Sequence, residues 1–222
     1  AAERGTLHEY DCRDEYVEFL SGFKEDFSNL KIGMDCSNGM ASIFVHQVFG
    51  EQPHYLYDTL DGSFPHHEAN PFQPENVVAL QKLVVAERCD VGVIYDGDAD
   101  RVMFIDETGR FVAPDLIIAL LGEYFIKEKG RCGTVLQDIR SSKSVAEYLE
   151  PLGAKIAMWK VGRAFAAPRL REIDGLWGGE VAGHYYFRDF FYSDSGILAG
   201  ILVLGIVARL KREGVRFSEM IA

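Results

Sequence analysis

The sequence predicts an α/β fold: two tandem α/β domains with largely parallel, mixed sheets flanked by helices. Three observations lead there. Strand-like and helix-like segments alternate along the whole chain. One strand candidate, "DVGVIYD" (90–96), is a continuous β-branched run of the kind buried on both faces of a sheet. The alternation then starts afresh near the middle, so that residues 1–110 and 111–222 each hold one set of elements.

In order, "LKIGMD" (30–35) is a short apolar strand ending at a carboxylate, and "GMASIFVHQVFG" (39–50) reads as a helix. "NVVALQKLVVAERC" (76–89) carries apolar residues at helical spacing ahead of the 90–96 strand. "VMFIDETGRFV" (102–112) reads as a strand, a Thr-Gly turn and a short return. "PDLIIALLGEYFIKEKG" (114–130) is a helix with Pro114 at its start and Gly130 past its end. The second set follows: "GTVLQDIR" a strand, "SKSVAEYLEPLG" a helix, "AKIAMWKVG" a strand. "AFAAPRLREID" is a helix that Pro168 interrupts or kinks, "GLWGGEV" is a strand, and "HYYFRDFFY" leads into a long apolar helix. Trp159 and Trp177 are expected in the core. With no linker between the halves, the two domains should pack closely.

Composition bounds the function. Hydrophobic residues make up 48% and charged residues 26%, enough for a packed core. The net charge of −11 argues against nucleic acid as a partner. It leaves room for an anionic small ligand, which needs only a local set of donors. Cys12, Cys36, Cys89 and Cys132 show neither zinc spacing nor a disulfide framework, so reduced thiols in a cytoplasmic setting are expected. The most apolar run, "GILAGILVLGIVARL" (196–210), is too short to span a bilayer and carries three glycines; it reads as a buried helix with Asp194 or Ser195 at its N-terminus, and no membrane association is expected. No signal peptide is visible, and the chain opens at Ala1, as a processed product or a piece of a longer protein would.

The chemistry concentrates in "DGDADR" (96–101). Along an extended strand Asp96, Asp98 and Asp100 would stand roughly 6.5–7 Å apart, too far to share a cation. They converge only if the chain curls, and Gly97 and Ala99 are small enough to permit it. The loop follows a strand, where ligands of open α/β sheets bind. Three hard oxygens suit Mg²⁺ or a similar ion, with open positions for water or phosphate oxygens. An EF-hand reading, with Glu107 at its twelfth position, fails because Arg101 stands where glycine is required and the flanks read as strands. Arg101 can clamp a phosphate in fork geometry, the competing assignment being a surface ion pair with Asp106 or Glu107.

Three further stretches accompany that loop: "GSFPHHEANP" (62–71), "MWKVGRAF" (158–165) and "GGEVAGHYYFRDFFYSDSG" (178–196). Together with "DGDADR" the set resembles the α-D-phosphohexomutase family, the phosphomannomutases and phosphoglucomutases, whose members share a metal loop, a Phe-Pro-x-His-x-x-Asn-Pro segment, a Val-Gly-His segment and a Gly-Glu-Met-Ser-Gly-His sugar loop. The resemblance places residues 1–110 on the second of four domains and 111–222 on the third. It implies that this chain lacks domain 1, with its phosphoserine in a Ser-His-Asn-Pro setting, and domain 4, with its phosphate loop. "DCSNGMAS" and "RSSKS" match neither.

By that resemblance the parent enzyme exchanges phosphate between O1 and O6 of a mannose or glucose phosphate through a hexose 1,6-bisphosphate. Asp96, Asp98 and Asp100 would hold Mg²⁺. Arg101 and His184 would serve catalysis, and Glu180, Gly183, His184, Arg140 and Arg163 would bind substrate. Gly178 and Gly179 would let backbone approach the ligand, Lys143 and Lys160 are candidates for a phosphate cluster, and His66 and His67 are expected to be structural. Two positions depart from the pattern. Ala182 replaces the loop serine, and Arg163 replaces the histidine of Val-Gly-His, where an arginine binds phosphate but cannot act as a base. The expected function is therefore half of a phosphohexomutase, inactive alone. The alternative is a non-catalytic sugar-phosphate-binding module. A different Mg²⁺ enzyme using an Asp-x-Asp pair finds no glycine-rich phosphate loop to support it.

Overall fold

Each half of the chain builds the same five-stranded sheet. In the computed structural model, which describes residues 5–222, the first sheet holds β1 (Ile32–Asp35), β2 (His54–Leu56), β3 (Val91–Tyr95), β4 (Val102–Asp106) and β5 (Phe111–Val112), in the order β2-β1-β3-β4-β5. The second holds β6 (Thr134–Asp138), β7 (Lys155–Trp159), β8 (Trp177–Gly179), β9 (Tyr185–Phe187) and β10 (Ser193–Asp194), in the equivalent order β7-β6-β8-β9-β10. In each sheet the first three strands of that order pair parallel and the remaining two pairings are antiparallel. Connection length explains the mixture. The segments after β3 and β8 are far shorter than the dozen or so residues a parallel crossover needs, so the chain must double back. Those two reversals are the 96–101 and 180–184 loops.

Helix α3 (Val78–Glu87) covers one face of the first sheet. Gly33 and Gly92 make the room: a Cβ on Gly92 would lie 2.8 Å from Val84 Cγ2. Helices α1 (Arg13–Ser21), α2 (Val45–Phe49) and α7 (Gly196–Arg212) cover the other face. The last of these comes from the second half of the sequence, and its Gly200 receives Tyr95, whose hydroxyl would sit 2.5 Å from an added Cβ. Ser195, not Asp194, caps α7, its Oγ accepting from Leu198 N at 3.1 Å. On the second sheet, α4 (Pro114–Glu123) and α5 (Lys143–Leu149) pack on one face and α6 (Arg163–Glu172) on the other. One apolar cluster runs from Met34 and Val93 through α7 and α4 to Trp177, so the halves share a core. The final helix, α8 (Phe217–Met220), is tied back to the first half by Ser218 N donating to Glu107 at 3.1 Å.

The structure corrects several details. Residues 40–43 form a 3₁₀ turn ahead of a short α2, and the 114–123 helix widens into a π turn over 124–128. Pro168 neither ends nor divides α6, which continues to Glu172. Trp177 is fully buried, but Trp159 is only half-buried because β7 is an edge strand; the Arg169 guanidinium covers its ring at 4.6 Å. Helix α1 is absent from the sequence reading: it is short, begins on three charged residues and fully buries only Leu20, with Tyr16, Val17 and Phe19 partly buried against the core. Among the described residues no helix is long and apolar enough to cross a membrane, and all four cysteines are free.

Candidate active site at the junction of two loops

The 96–101 loop curls as its charges require. Asp96 is buried at the end of β3 and acts as the local anchor: Oδ1 accepts from Arg101 N at 3.1 Å and Oδ2 from Arg101 Nε at 2.7 Å. The turn is made at Ala99, in the left-handed region with φ 62°, rather than at Gly97, which has no positive φ. Curling brings one carboxylate oxygen each from Asp96, Asp98 and Asp100 within 4.8 Å of one another. Burial, together with the charges of Asp96 and Asp98, outweighs the nearby His184 and pushes Asp100 up to about 6. Burial likewise raises Asp96, against the opposing pull of Arg101. Three hard oxygens that converge, those of Asp96 and Asp100 on carboxyls whose ionisation burial resists, fit a divalent cation such as Mg²⁺. The flanks are strands, as the rejection of an EF-hand requires.

Arg101 pairs within the loop. Asp106 and Glu107, its rival partners, are taken by Arg110 and Arg216 instead. Its Nη1 lies 3.5 Å from Asn70 Oδ1, so the Phe-Pro segment reaches the loop. The two histidines of that segment are structural ties: His66 Nδ1 lies 2.7 Å from Asn38 Oδ1, and His67 Nε2 lies 3.2 Å from the buried Asp35 Oδ2. Asp35, Ser37 and Asn38 form the turn after β1. It grips the acidic loop through Met40 N donating to Gly97 O at 2.9 Å and Ser37 Oγ donating to Tyr95 O at 2.6 Å. Ser37 is buried and committed to that bond.

The second loop turns at Gly183, with φ 89°. Glycine is needed twice there, since a Cβ would also lie 2.8 Å from Met103 Cε and 3.1 Å from Val102 O. That close approach joins the loops. Val102 N donates to Gly183 O at 3.1 Å, and Arg101 and His184 form an antiparallel β-bridge. His184 Nδ1 consequently lies 3.7 Å from Asp100 Oδ1 and 2.7 Å from Asp194 Oδ2. Burial opposes charge on His184, but Asp194 and Asp100 outweigh it and leave its pKa raised. Arg163, at the start of α6, reaches the same Asp194 from the other side, Nε to Oδ1 at 2.9 Å.

Glu180 is held inward. Gly162 N lies 3.2 Å from each of its oxygens and the Tyr186 hydroxyl donates to Oε1 at 2.7 Å. Only 3% of its side chain is exposed. Arg140 stands nearby, its Nη2 3.9 Å from Glu180 Oε2 and 2.9 Å from Asp138 Oδ2. Asp138 in turn accepts from Val181 N at 3.0 Å, clamping the loop to β6. The structure thus gathers Asp96, Asp98, Asp100, Arg101, Gly183 and His184 at one junction, brings Arg163 to it through Asp194, and groups Arg140 with Glu180 beside it. Lys143 and Lys160 are exposed and outside this network, Lys160 lying 5.4 Å from the Phe165 ring. Sequence reasoning missed Asp138, Asp194 and Tyr186. Asp138 ends its strand just as Asp35 does, which is the one signal that could have found it.

Fold and site together define an α/β protein of two like units, with an oxygen-rich cation loop meeting a glycine-bent loop at their junction. Family models for the phosphoglucomutase/phosphomannomutase α/β/α domain II and domain III match residues 14–109 and 113–222. A Salmonella typhimurium phosphomannomutase is 33% identical over 222 residues, covering 96% of this chain and 48% of that protein. A Burkholderia thailandensis family structure superposes with a TM-score of 0.84 at 29% identity, covering 91% of this chain and 45% of that one. A phosphomannomutase structure from Thermus thermophilus, at 23% identity and a TM-score of 0.85, shares the fold over 98% of this chain and 51% of its own. The chain belongs to the phosphoglucomutase/phosphomannomutase family, and it spans about half the length of the curated relatives it matches.

Proposed function

We propose that this chain supplies the cation-binding and sugar-binding half of a Mg²⁺-dependent phosphohexomutase, which interconverts the 1- and 6-phosphates of mannose or glucose through a phosphoserine and a hexose 1,6-bisphosphate. The observation that carries the reading is the β-bridge between Arg101 and His184, which sets the acidic loop and the glycine-bent loop against each other. In-line phosphoryl transfer asks mainly for positioning and charge neutralisation, and the residues at the junction divide that work. Asp96, Asp98 and Asp100 would hold Mg²⁺, which supplies electrostatic stabilisation to the transferring phosphoryl group when bound. Arg101 is fixed by Asp96 through Nε and offers its outer nitrogens to a phosphate oxygen. Gly183 brings backbone close to the sugar, and Glu180, with Arg140 beside it, accepts from sugar hydroxyls once released from Gly162. Domains 1 and 4 of the parent would bring the phosphoserine and the remaining phosphate contacts, in a cytoplasmic enzyme with neither nucleic acid nor membrane as partner.

The test is direct. The 222 residues with Mg²⁺ and glucose 1,6-bisphosphate should turn over neither glucose 1-phosphate nor mannose 1-phosphate, while calorimetry detects weak Mg²⁺ binding that Asp98→Ala abolishes. Full turnover by the chain alone would sink the divided site. A second reading, a sugar-phosphate-binding module without turnover, is favoured by one observation: Arg163 occupies Asp194 where the family pattern has a histidine. It predicts a full-length parent that binds hexose phosphate and stays inactive with the bisphosphate present.

A further inference from the structure

The Asp194 side chain is fully enclosed, 0% exposed. Both oxygens are engaged by other elements. Oδ2 lies 2.7 Å from His184 Nδ1 and Oδ1 lies 2.9 Å from Arg163 Nε, with Ser193 Oγ at 3.4 Å from the latter oxygen. Its backbone pairs with Tyr186 in the β9–β10 ladder, and the chain two residues on is pinned as well. Gly196 N donates to Ala99 O at 3.1 Å, and a Cβ on Gly196 would fall 2.8 Å from that oxygen. The His184 ring lies against Tyr186, centroids 6.2 Å apart at 24°.

We propose that Asp194 is a positioning residue that fixes both the tautomer of His184 and the direction of Arg163. A carboxylate can only accept, so a nitrogen 2.7 Å away must carry a proton. Neutral imidazole has one proton to give. Placing it on Nδ1 leaves the lone pair on Nε2, which has no protein partner among the described residues. Arg163 is held by Nε on Asp194 and by Nη2 donating to Ser193 Oγ at 3.2 Å, which leaves Nη1 without a protein partner among the described residues; its side chain stays 57% exposed. One buried acid therefore holds the imidazole on one oxygen and the guanidinium on the other, leaving His184 Nε2 as an acceptor and Arg163 Nη1 as a donor. The donors of Asp100, His184 and Asp194 also lie close enough to ligate a metal. A metal there would have to displace the Nδ1 proton and leave Arg163 facing a cation, so the geometry favours a hydrogen-bonded assembly. The assignment rests on the sugar-phosphate reading only for what Nε2 and Arg163 face.

Long-range ¹H–¹⁵N correlation spectra of the labelled chain in EDTA, at mildly alkaline pH, test it. His184 should show a protonated Nδ1 and a bare Nε2. Asp194→Ala should move the proton to Nε2, the form favoured in water, with the amide spectrum still dispersed. Should that variant fail to fold, the near-isosteric Asp194→Asn and the unsubstituted chain's own tautomer still decide. A bare Nδ1 in the unsubstituted chain, no change of tautomer in a folded Asp194→Ala, or Zn²⁺ displacing the Nδ1 proton at stoichiometric concentration would each overturn the proposal. Glucose 6-phosphate titration separates it from the underlying reading. Loss of affinity of about tenfold in Asp194→Ala, some 1.4 kcal/mol, supports both. A tautomer switch in a chain that binds no glucose 6-phosphate retains the positioning role and refutes the sugar-phosphate site.

Discussion

The loop after β3 and the loop after β8 hold the same place in two copies of one topology, and they solve opposite problems. The first collects three carboxylates, only Asp96 of which is hydrogen-bonded to Arg101, and burial together with the neighbouring charges pushes Asp100 up to about 6. The second holds one carboxylate, Glu180, and satisfies it with Gly162 and Tyr186. Their turns differ too: the first bends at Ala99, which tolerates its left-handed backbone at a cost, the second at Gly183, where any Cβ meets the neighbouring strand. The strands β1 and β6 repeat the parallel. Asp35 and Asp138 end them, and each accepts from the amide two residues on, at 2.8 and 2.6 Å. Topology fixes where a loop can work, and side chains decide whether it waits for a cation or stores its charge internally.

That contrast can be broken in three places. The largest effect is expected at the turns. Gly183→Ala combines a left-handed residue with overlap on Met103 and Val102 and should lose about 3 kcal/mol; Ala99→Gly should change stability by about 1 kcal/mol or less. Urea unfolding of the two variants measures the difference, and equal costs would show that the loops are not distinguished by their turns. Next is the pH dependence of the acidic loop. Asp100 binds its proton more tightly folded than unfolded, so this group destabilises the native state above pH 6 and ceases to do so as pH falls toward 4. After allowance for solvent screening of a partly exposed carboxyl the effect is about 1.5 kcal/mol. In EDTA, Asp100→Asn should therefore stabilise the chain at neutral pH and flatten the profile, and Mg²⁺ should flatten it in the unsubstituted chain. A metal-free Asp100→Asn that unfolds earlier at neutral pH than its parent would contradict a net cost of that charge. The smallest effect belongs to the satisfied loop: Tyr186→Phe removes one of Glu180's donors and should cost about 1 kcal/mol, with Mg²⁺ affinity untouched. A change in Mg²⁺ affinity would mean that the loops exchange more than a backbone bridge.

What the sequence made legible is what is local. Alternate aspartates, a β-branched run before them and a Gly-Glu-x-x-Gly-His loop are patterns a few residues long, and the structure puts both loops at one junction. The halves and the strands β1 and β3 to β8 were legible from periodicity; the short β2, β9 and β10 were not. The antiparallel return was not drawn, although the shortness of 96–101 and 180–184 already demanded it. Asp194 and Asp138 stayed hidden for another reason. Asp194 gains its meaning only when the β9–β10 hairpin turns it toward His184, ten residues back, and α6 delivers Arg163. Nothing near Asp194 in the chain announces either partner. The inward turn of Glu180 was illegible likewise, because its donor Gly162 sits on a different connection.

The position of α7 has a consequence for how the chain comes into being. The sheet face that Tyr95 and Val93 present is covered by a helix encoded about a hundred residues later. During synthesis the first half emerges with that face covered only by α1 and α2, the place of α7 still open. Full covering of that face waits on residues 196–212. The two halves therefore mature as one cooperative unit, and a nascent chain stalled before Gly196 is a natural client for a chaperone.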